Sequence, residues 1–372
     1  ANPFKSFLSL NTFSHKNIMK LVVLALAALA GSAVAVRTPI SQPLAESALR
    51  ADFEEFITKY GRQYESAEER EGRFWVFVAN LEDATAKNAA LRAEGKDEVF
   101  GMTKFSDMTK SEFSQKMLNP LIGRGPVNKS IPVSTPTKTA TASSFDWRDS
   151  GVVTAVKNQG YCGSCWAHSA VETVESQYAI AGGALTSLSV QQLTSCDTTD
   201  AGCNGGWYYT AWDDYIETNG GLNTEANYPY DTATFYGSAS ACDTSLESNV
   251  VAGTKTTGYS WATTPCSSFS CNSQDEDTLK SNLVSYGPIS IACDASEWSA
   301  YTGGVFSSSS CSSSAWKLDH AIQLVGYNDA ASTPYWIVRN SWDTTWGEDG
   351  FIFLEMGNNA CGLADKAAMV TL

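Results

Sequence analysis

Two stripes of residues at helical spacing mark the first part of the chain. The first is short and apolar, and Gly61 is placed to end it: Phe53, Phe56, Ile57 and Tyr60. The second runs along one face for six positions and is mostly polar: Glu69, Arg73, Phe77, Asn80, Ala84 and Asn88. Polar side chains on such a face need partners, and Glu69 and Arg73 are spaced to pair. The pattern predicts a long helix packed against another part of the chain.

The later part of the chain changes from helical to strand periodicity. A further helical stripe is expected to end at Gly182-Gly183: Ala167, Val171, Val174 and Tyr178. After residue 250 the apolar runs are short and separated by turn residues, at 289–291, 321–325, 335–338 and 350–354. Serine-rich patches at 266–274 and 307–314 are expected to be surface loops. The fold class is therefore α+β, with a helix-rich half at 165–250 and a strand-rich half after it.

Composition divides the chain into segments. Met19-Lys20 precedes an apolar run that ends in small residues at Ala35, which predicts a signal peptide at 19–35 and entry into the secretory pathway. Residues 1–18, upstream of it, form a segment of doubtful status. The sequence has no second long apolar run, so no membrane anchor is expected. Residues 119–140 have the composition of a linker, and they include the glycosylation sequon Asn128-Lys129-Ser130. A domain boundary is expected near Thr141.

Charge is distributed unevenly along the chain. Residues 1–140 hold 18 Lys and Arg against 15 Asp and Glu, a net charge of +3. Residues 141–372 hold 7 against 25, a net charge of −18, and no Lys or Arg occurs from Asn158 to Gly253. The second domain lacks the basic face that a nucleic-acid-binding protein needs. Its self-repulsion relaxes as carboxylates protonate, which favours an acidic compartment; the other interpretation is that the charge only maintains solubility.

The stretch NQGYCGSCWAHS holds two cysteines, Cys162 and Cys165, and a histidine, His168. A zinc site needs four ligands, and the sequence has no second C-x-x-C or close histidine pair. A redox pair is disfavoured in a secretory protein. A pure crosslink stays open because the chain has ten cysteines, an even number. The remaining interpretation is a nucleophile activated by a base.

A nucleophilic Cys165 requires an ionised thiol. Its position at the start of the predicted helix lowers the thiol pKa, but a helix end contributes at most about 2 kcal/mol. Full activation near pH 5 needs more, and an imidazolium is the natural partner. His15 lies upstream of the signal peptide, and His168 lies one turn along the same helix and is expected to be a packed ring. His320 is left as the base.

A base needs an orienting group, and the stretch WIVRNSWDTTWG offers Asn340 beside Trp342. The alternative interpretation of Asn340 is a turn residue. Together with CGSCW and the histidine in KLDHAIQLVGY, this stretch resembles the papain-like cysteine proteases of the cathepsin L type. The polar helix stripe resembles the prodomain helix of that group, with Ala84 in place of an aliphatic residue. Gly101-Met-Thr-Lys-Phe-Ser-Asp107 resembles its second prodomain motif, with Thr103 where asparagine is usual.

The resemblance implies a papain-like two-lobe fold over 141–372. It consists of a helical left lobe, a β-barrel-like right lobe and an active-site cleft between them. Residues 36–140 become a propeptide, with a helical inhibitor domain at about 51–110. In the implied chemistry the Cys165 thiolate attacks the peptide carbonyl, His320 protonates the leaving amine and Asn340 orients His320. The Gln159 amide and the backbone N–H of Cys165 stabilise the oxyanion, and no metal or cofactor is needed.

The resemblance also implies disulfides and a substrate cleft. Three pairs follow from it, Cys162–Cys203, Cys196–Cys242 and Cys311–Cys361; Cys266 and Cys271 are close enough to form a fourth, and Cys293 is left as a buried thiol.

The substrate-binding positions that the resemblance implies are Gly205, Gly206, Trp207, Tyr208, Asp319, Trp342 and Lys366. Lys366 stands where relatives have an apolar pocket floor, and it is expected either to admit acidic side chains or to turn outward. His168 replaces phenylalanine and Asp343 replaces glycine in the family pattern.

These observations predict a monomeric cysteine endopeptidase made as a zymogen. Its partners are peptide and protein substrates, its own prodomain and protein inhibitors of cysteine proteases. Acidification is expected to release the prodomain and allow self-cleavage near Thr141. The expected location is a lysosome, a vacuole or the cell exterior. The competing interpretation is a catalytically silent relative that only binds peptides.

Overall fold

The computed structural model describes residues 41–269, 271 and 274–372, with side chains from Glu46 onward. The predicted signal peptide and the segment upstream of it lie outside these residues. The chain divides into two units, 1–52 and 53–372, so the inhibitor-like region from Phe53 and the domain after residue 140 form one compact body. No helix within the described ranges has the length and apolarity to cross a bilayer.

Three helices make up the first part: Ser41–Tyr60, Ala67–Ala93 and Lys110–Met117. The first two match the two predicted stripes, and the third was not predicted. Gly61 follows the first helix with a φ of 61°, a left-handed conformation that glycine adopts without strain. Ser66 caps the second helix by accepting from the Glu69 backbone N–H. Thr109 and Glu112 form a reciprocal capping box at the start of the third.

The polar stripe of the long helix is satisfied by the turn at 103–112. Arg73 donates to both oxygens of Glu112 at 2.8 Å, whereas the expected pair with Glu69 is longer, at 3.9 Å. Asn80 donates to two carbonyls of the 106–108 turn at 2.8 Å. Asn88 is buried and bonds the backbone at residues 99 and 100. These bonds hold the turn against the helix, because removing the side chain of Asn80 or Asn88 would leave backbone groups without hydrogen-bond partners.

The helix Cys165–Ile180 is the centre of the second domain, and its side chains from Cys165 to Ser176 are all buried. Gly182, with a φ of 95°, lies just past its end, as predicted. The other helices of this half are Val190–Cys196, a run at 208–219 with a π-helical middle at Ala211–Ile216, and the short Thr232–Phe235 and Thr244–Glu247. The helix-rich half is therefore confirmed.

Eight strands form one mixed sheet: β1 Ser144–Asp146, β2 Gly258–Trp261, β3 Ile289–Cys293, β4 Val305–Phe306, β5 His320–Asn328, β6 Tyr335–Arg339, β7 Phe351–Glu355 and β8 Ala368–Thr371. The order is β2-β8-β3-β5-β6-β7-β4, with β1 on β5. All pairs are antiparallel except β4 with β7. Within the described residues β2 and β4 stay unpaired with each other, so the expected barrel-like half is an open sheet. Its helix Glu276–Tyr286 was not predicted, because only Leu279 and Leu283 mark its buried side.

All four expected disulfides are formed: Cys162–Cys203, Cys196–Cys242, Cys266–Cys271 and Cys311–Cys361. Cys165 and Cys293 are free and buried. The bond between Cys162 and Cys203 ties the turn before the central helix to the loop that contains Gly205 and Gly206. It thereby holds these two loops against each other, together with the hydrogen bond from the Gly163 N–H to the Cys203 carbonyl.

Candidate active site

Cys165 is the first residue of the central helix, and its side chain is fully buried. A backbone hydrogen bond from Ala321, the residue after His320, reaches its thiol. Burial raises the pKa of Cys165 to about 12; the charge of Asp319 acts in the same direction, and backbone N–H groups oppose both. The thiol is therefore protonated in this state of the protein.

His320 begins β5, and its ring is fixed by two contacts. Its Nε2 bonds the Asn340 Oδ1 at 2.7 Å, and its ring stacks on Trp342 with centroids 4.6 Å apart. Its other nitrogen, Nδ1, is buried without a hydrogen-bond partner among the described residues. The backbone of the next residue, Ala321, bonds the thiol of Cys165. The unpartnered Nδ1 therefore belongs to the neighbour of a residue that contacts the sulfur.

Burial lowers the pKa of His320 to about 4, although the bond to Asn340 acts in the opposite direction. The sequence analysis predicts an ionised pair in the mature enzyme, which this state of the protein does not test. Here burial favours the neutral imidazole and the neutral thiol instead. The physical reason is desolvation, which penalises both charges when water is excluded from the groove.

The Gln159 side chain is held in one orientation by four hydrogen bonds. Its Oε1 accepts from the Ser341 hydroxyl at 2.6 Å and from the Trp342 indole at 3.2 Å. Its Nε2 therefore faces carbonyl oxygens, donating to Cys162 at 2.9 Å and to Met117 at 3.0 Å. Met117 belongs to the inhibitor-like region. A carbonyl of that region therefore accepts from the Gln159 amide, which was expected to stabilise an oxyanion.

Residues 117–125, called here the cleft segment, continue along the groove. Asn119 donates from its backbone to the Asp319 carbonyl at 2.6 Å and from its side chain to the Gly206 carbonyl at 2.7 Å. A Cβ at Gly205 would lie 2.2 Å from the Asn119 side chain, so only glycine permits this approach. The Trp207 indole donates to the Leu121 carbonyl at 3.1 Å. The predicted substrate positions on this wall are thus brought together by the cleft segment.

Lys366 lies at the far end of the cleft segment and is 1% exposed. Its Nζ donates to the carbonyls of Ile122, Gly123 and Gly125, each at 3.1 Å. Burial lowers the pKa of Lys366 to about 8, and the charge of Asp365 partly restores it. A cavity of about 470 Å³ adjoins it, with Trp316 and Cys266 in its wall. The outward-turned alternative for Lys366 is therefore wrong.

The remaining predicted positions are Tyr208, His168 and Asp343. Tyr208 is buried, and its hydroxyl donates to the Lys366 carbonyl. His168 is a packed ring, as expected: it meets Tyr230 edge-on at 5.4 Å, and burial lowers its pKa to about 3. Asp343 has a φ of 71°, the left-handed conformation for which the family pattern has glycine.

Two parts of the site escaped the sequence analysis. Ser341, which holds the Gln159 amide, was not singled out, although it lies next to Asn340. Residues 119–125 were interpreted as the start of a linker, yet they contact the groove. The two glycines Gly123 and Gly125 were the sequence feature that could have indicated this contact. A Cβ at either would lie within 2.6 Å of an atom of the second domain.

Comparisons with known proteins identify the family of the chain. The sequence model of the papain family cysteine proteases matches residues 141–371, and that of the cathepsin propeptide inhibitor domain matches residues 53–113. A cysteine proteinase of Trypanosoma brucei brucei is 39% identical over 85% of this chain and 66% of its own length. Cysteine proteinase A of Leishmania mexicana is 37% identical over 92% of this chain and 90% of its own length.

Solved structures give the same match. Procathepsin L2 from the larval midgut of Tenebrio molitor superposes with a TM-score of 0.74 at 33% identity, covering 87% of this chain and 100% of that chain. A recombinant stem bromelain precursor superposes with a TM-score of 0.71 at 32% identity, covering 87% of this chain and 99% of that chain. Both are similar over the inhibitor-like region and the second domain together.

Proposed function

The chain belongs to the papain family of cysteine proteases and carries a cathepsin-type propeptide inhibitor domain, and we propose that Cys165, His320, Asn340 and Gln159 perform its peptide hydrolysis. The observation that carries these roles is the bond between the Gln159 amide and the Met117 carbonyl. In the zymogen a main-chain carbonyl already accepts a hydrogen bond from the Gln159 amide, the donor that the reaction needs. In the mature enzyme the carbonyl of the scissile bond takes that place.

The reaction begins when the cleft segment leaves and water re-enters the groove. The Cys165 proton passes to Nδ1 of His320, which has no other partner. The thiolate attacks the carbonyl carbon, and the oxyanion accepts from the Gln159 Nε2 and the Cys165 backbone N–H. The imidazolium then gives its proton to the leaving amine as the C–N bond breaks, and a thioester remains. His320 deprotonates a water that hydrolyses the thioester, and the thiol is regenerated.

Asn340 and Trp342 act through His320 in this scheme. The Asn340 oxygen accepts the Nε2 proton and thereby leaves Nδ1 to face the sulfur. The stacked indole excludes water from that bond. The competing interpretation, a silent peptide-binding relative, has no support, because the nucleophile, base, orienting amide and oxyanion donor are all present.

The zymogen contact between the two domains is ionic as well as apolar. The prodomain reaches Glu297 with Lys87 and Lys110, and the Lys96 Nζ lies 3.5 Å from the Glu355 carboxylate. Burial raises the pKa of Glu355, but the Ser308 bonds and Lys96 outweigh it, so the net pKa is below the ordinary value. Ser307 and Ser308 belong to the same domain as Glu355, so only the part of the depression that Lys96 contributes depends on docking. That part stabilises docking above the ordinary pKa and is lost as pH falls through the depressed pKa. Acid therefore weakens this contact and promotes self-cleavage near Thr141.

Lys366 sets the substrate preference in this proposal. Once the cleft segment leaves, the ammonium loses three carbonyl acceptors and faces the pocket that, by the family resemblance, takes the side chain two residues before the scissile bond. A buried cation without partners is costly, and a substrate carboxylate restores both its charge balance and its hydrogen bonds. The preferred substrates thus carry Asp or Glu at that position.

The compartment follows from the chemistry of the chain. Four disulfides require an oxidising route of synthesis, and the predicted signal peptide supplies it. An acidic domain that is activated by acid suits a lysosome, a vacuole or the cell exterior. The enzyme works there as a monomer on peptides and proteins, and protein inhibitors of cysteine proteases are expected to fit the emptied groove.

The first prediction concerns the oxyanion donor. In the mature enzyme, Gln159→Ala should lower kcat by about 10² to 10³ and change KM little, because the amide acts on charge that develops in the transition state. Stopped assays on an internally quenched peptide measure both constants. Alkylation of Cys165 by iodoacetamide, which forms no oxyanion, serves as the control and should keep its rate. An unchanged kcat would remove Gln159 from the mechanism.

The second prediction concerns acid activation. Glu355→Gln should shift the midpoint of zymogen processing to higher pH, because the neutral amide keeps hydrogen-bonding capacity but does not attract Lys96. Processing is followed on gels over a pH series. The matched control is Asp277→Asn, whose carboxylate is 96% exposed and pairs weakly with Lys280. Identical midpoints for Glu355→Gln and the unaltered zymogen would contradict the proposal, as would processing that occurs only with an added protease.

The third prediction concerns specificity. A peptide library should show a preference for Glu or Asp over Leu two residues before the cleaved bond, and Lys366→Leu should reverse it. The exposed Lys317, changed to Gln, is the control and should leave the acidic preference in place. An ordinary preference for Leu or Phe in the unaltered enzyme would rule out the role of Lys366.

A further inference from the structure

We propose that the Trp342 carbonyl and the Asp343 carboxylate form a cation subsite on the leaving-group side of the cleft. Lys104 of the prodomain fills it in the zymogen, and a lysine or arginine side chain of the substrate fills it in the mature enzyme. The inference rests on the catalytic roles proposed above and adds a second determinant of specificity to them.

The prodomain lysine is half-buried against the second domain. Its Nζ donates to the Trp342 carbonyl at 2.8 Å. Burial lowers the pKa of Lys104 to about 8; the negative charge of Asp343 raises it in part, and Arg62 lowers it further. An ammonium that is removed from water needs compensation, and here a carbonyl and a nearby carboxylate of the enzyme supply it.

The Asp343 carboxylate is preset by its own domain. Its Oδ2 accepts from the Asn158 amide at 3.1 Å and its Oδ1 from the Thr345 backbone N–H at 3.2 Å, which fixes its direction. The backbone of Lys157 accepts from the Asp343 N–H at 3.1 Å, but the Lys157 ammonium is paired with Glu175 at 2.8 Å. The Asp343 carboxylate is therefore held by bonds that do not depend on the prodomain.

The cleft segment shows on which side of the scissile bond this subsite lies. The Met117 carbonyl marks the reaction centre at Gln159, and from there the chain runs along Gly206 toward Lys366. The residues before the cleft segment lie on the opposite side: Phe105 and Phe113 each meet the Trp342 ring at 5.3 Å. Because the Gly206 wall receives the acyl side of the substrate, the Trp342 side receives the leaving group.

Removal of the prodomain opens three recognition elements at once. The Trp342 carbonyl loses its donor, the Asp343 charge loses Lys104, and the indole face loses Phe105 and Phe113. A substrate ammonium or guanidinium satisfies the carbonyl, balances the carboxylate and meets an aromatic ring. Acidic residues are then recognised before the scissile bond, at Lys366, and basic residues after it, at Asp343.

The test uses mature enzyme and internally quenched peptides that differ only in having Lys or Gln at each of the first three positions after the scissile bond. At one of these positions the Lys peptide should have a kcat/KM about fivefold above the Gln peptide at low salt, and less at high salt. Asp343→Asn should reduce the Lys-to-Gln ratio to about one. Asparagine tolerates the left-handed conformation at this position, so the variant should fold.

The matched control is Asp349→Asn, an exposed aspartate of the same loop that also has a positive φ, of 53°. It should keep the full Lys-to-Gln ratio. A ratio near one at all three positions in the unaltered enzyme would overturn the subsite, and so would a ratio that survives Asp343→Asn. Failure of the proposed catalytic roles gives a different result. In that case Gln159→Ala would cleave both the Lys and the Gln peptide as fast as the unaltered enzyme does.

Discussion

The full burial of Cys165 and His320 is the constraint on which this zymogen depends. A thiolate and an imidazolium stabilise each other in a hydrated groove, but each charge is penalised when the groove is dry. The two pKa shifts are opposite in sign and have the same cause. The thiol pKa rises to about 12 and the imidazole pKa falls to about 4, so the proton stays on sulfur. Burial therefore holds the two proposed catalytic residues in their neutral forms.

The cleft segment succeeds because it imitates a bound polypeptide with its backbone. Its carbonyls occupy the Gln159 amide at one end and the Lys366 ammonium at the other. Between them Asn119 bonds the Gly206 wall. The rest of the prodomain adds charge: Lys87, Lys96 and Lys104 meet a domain whose net charge is −18. The same contacts that hold the inhibitor identify which chemical groups the emptied cleft will bind.

Much of the fold could be predicted from sequence because each pattern had a single physical meaning. Helical stripes and short apolar runs predicted most of the elements, and the exclusion of the other histidines pointed to Cys165 and His320. The resemblance to papain-like proteases implied three of the four disulfides and the role of Gln159. The helix Glu276–Tyr286 escaped prediction because two leucines are too weak a periodic signal. The role of residues 119–125 escaped because Pro and Gly suggest a linker unless the facing surface is known. The neutral state of the pair could not be predicted either, since desolvation depends on what covers the groove.

The most direct test is the ionisation of Cys165 before and after removal of the prodomain. The thiolate is followed by its ultraviolet absorbance, with the Cys165→Ala protein as the blank. The unprocessed zymogen should show no Cys165 thiolate between about pH 5 and pH 7, whereas the mature enzyme should show it throughout that range. A thiolate of equal amplitude in both forms would contradict the account, because covering the groove would then leave the proton distribution unchanged.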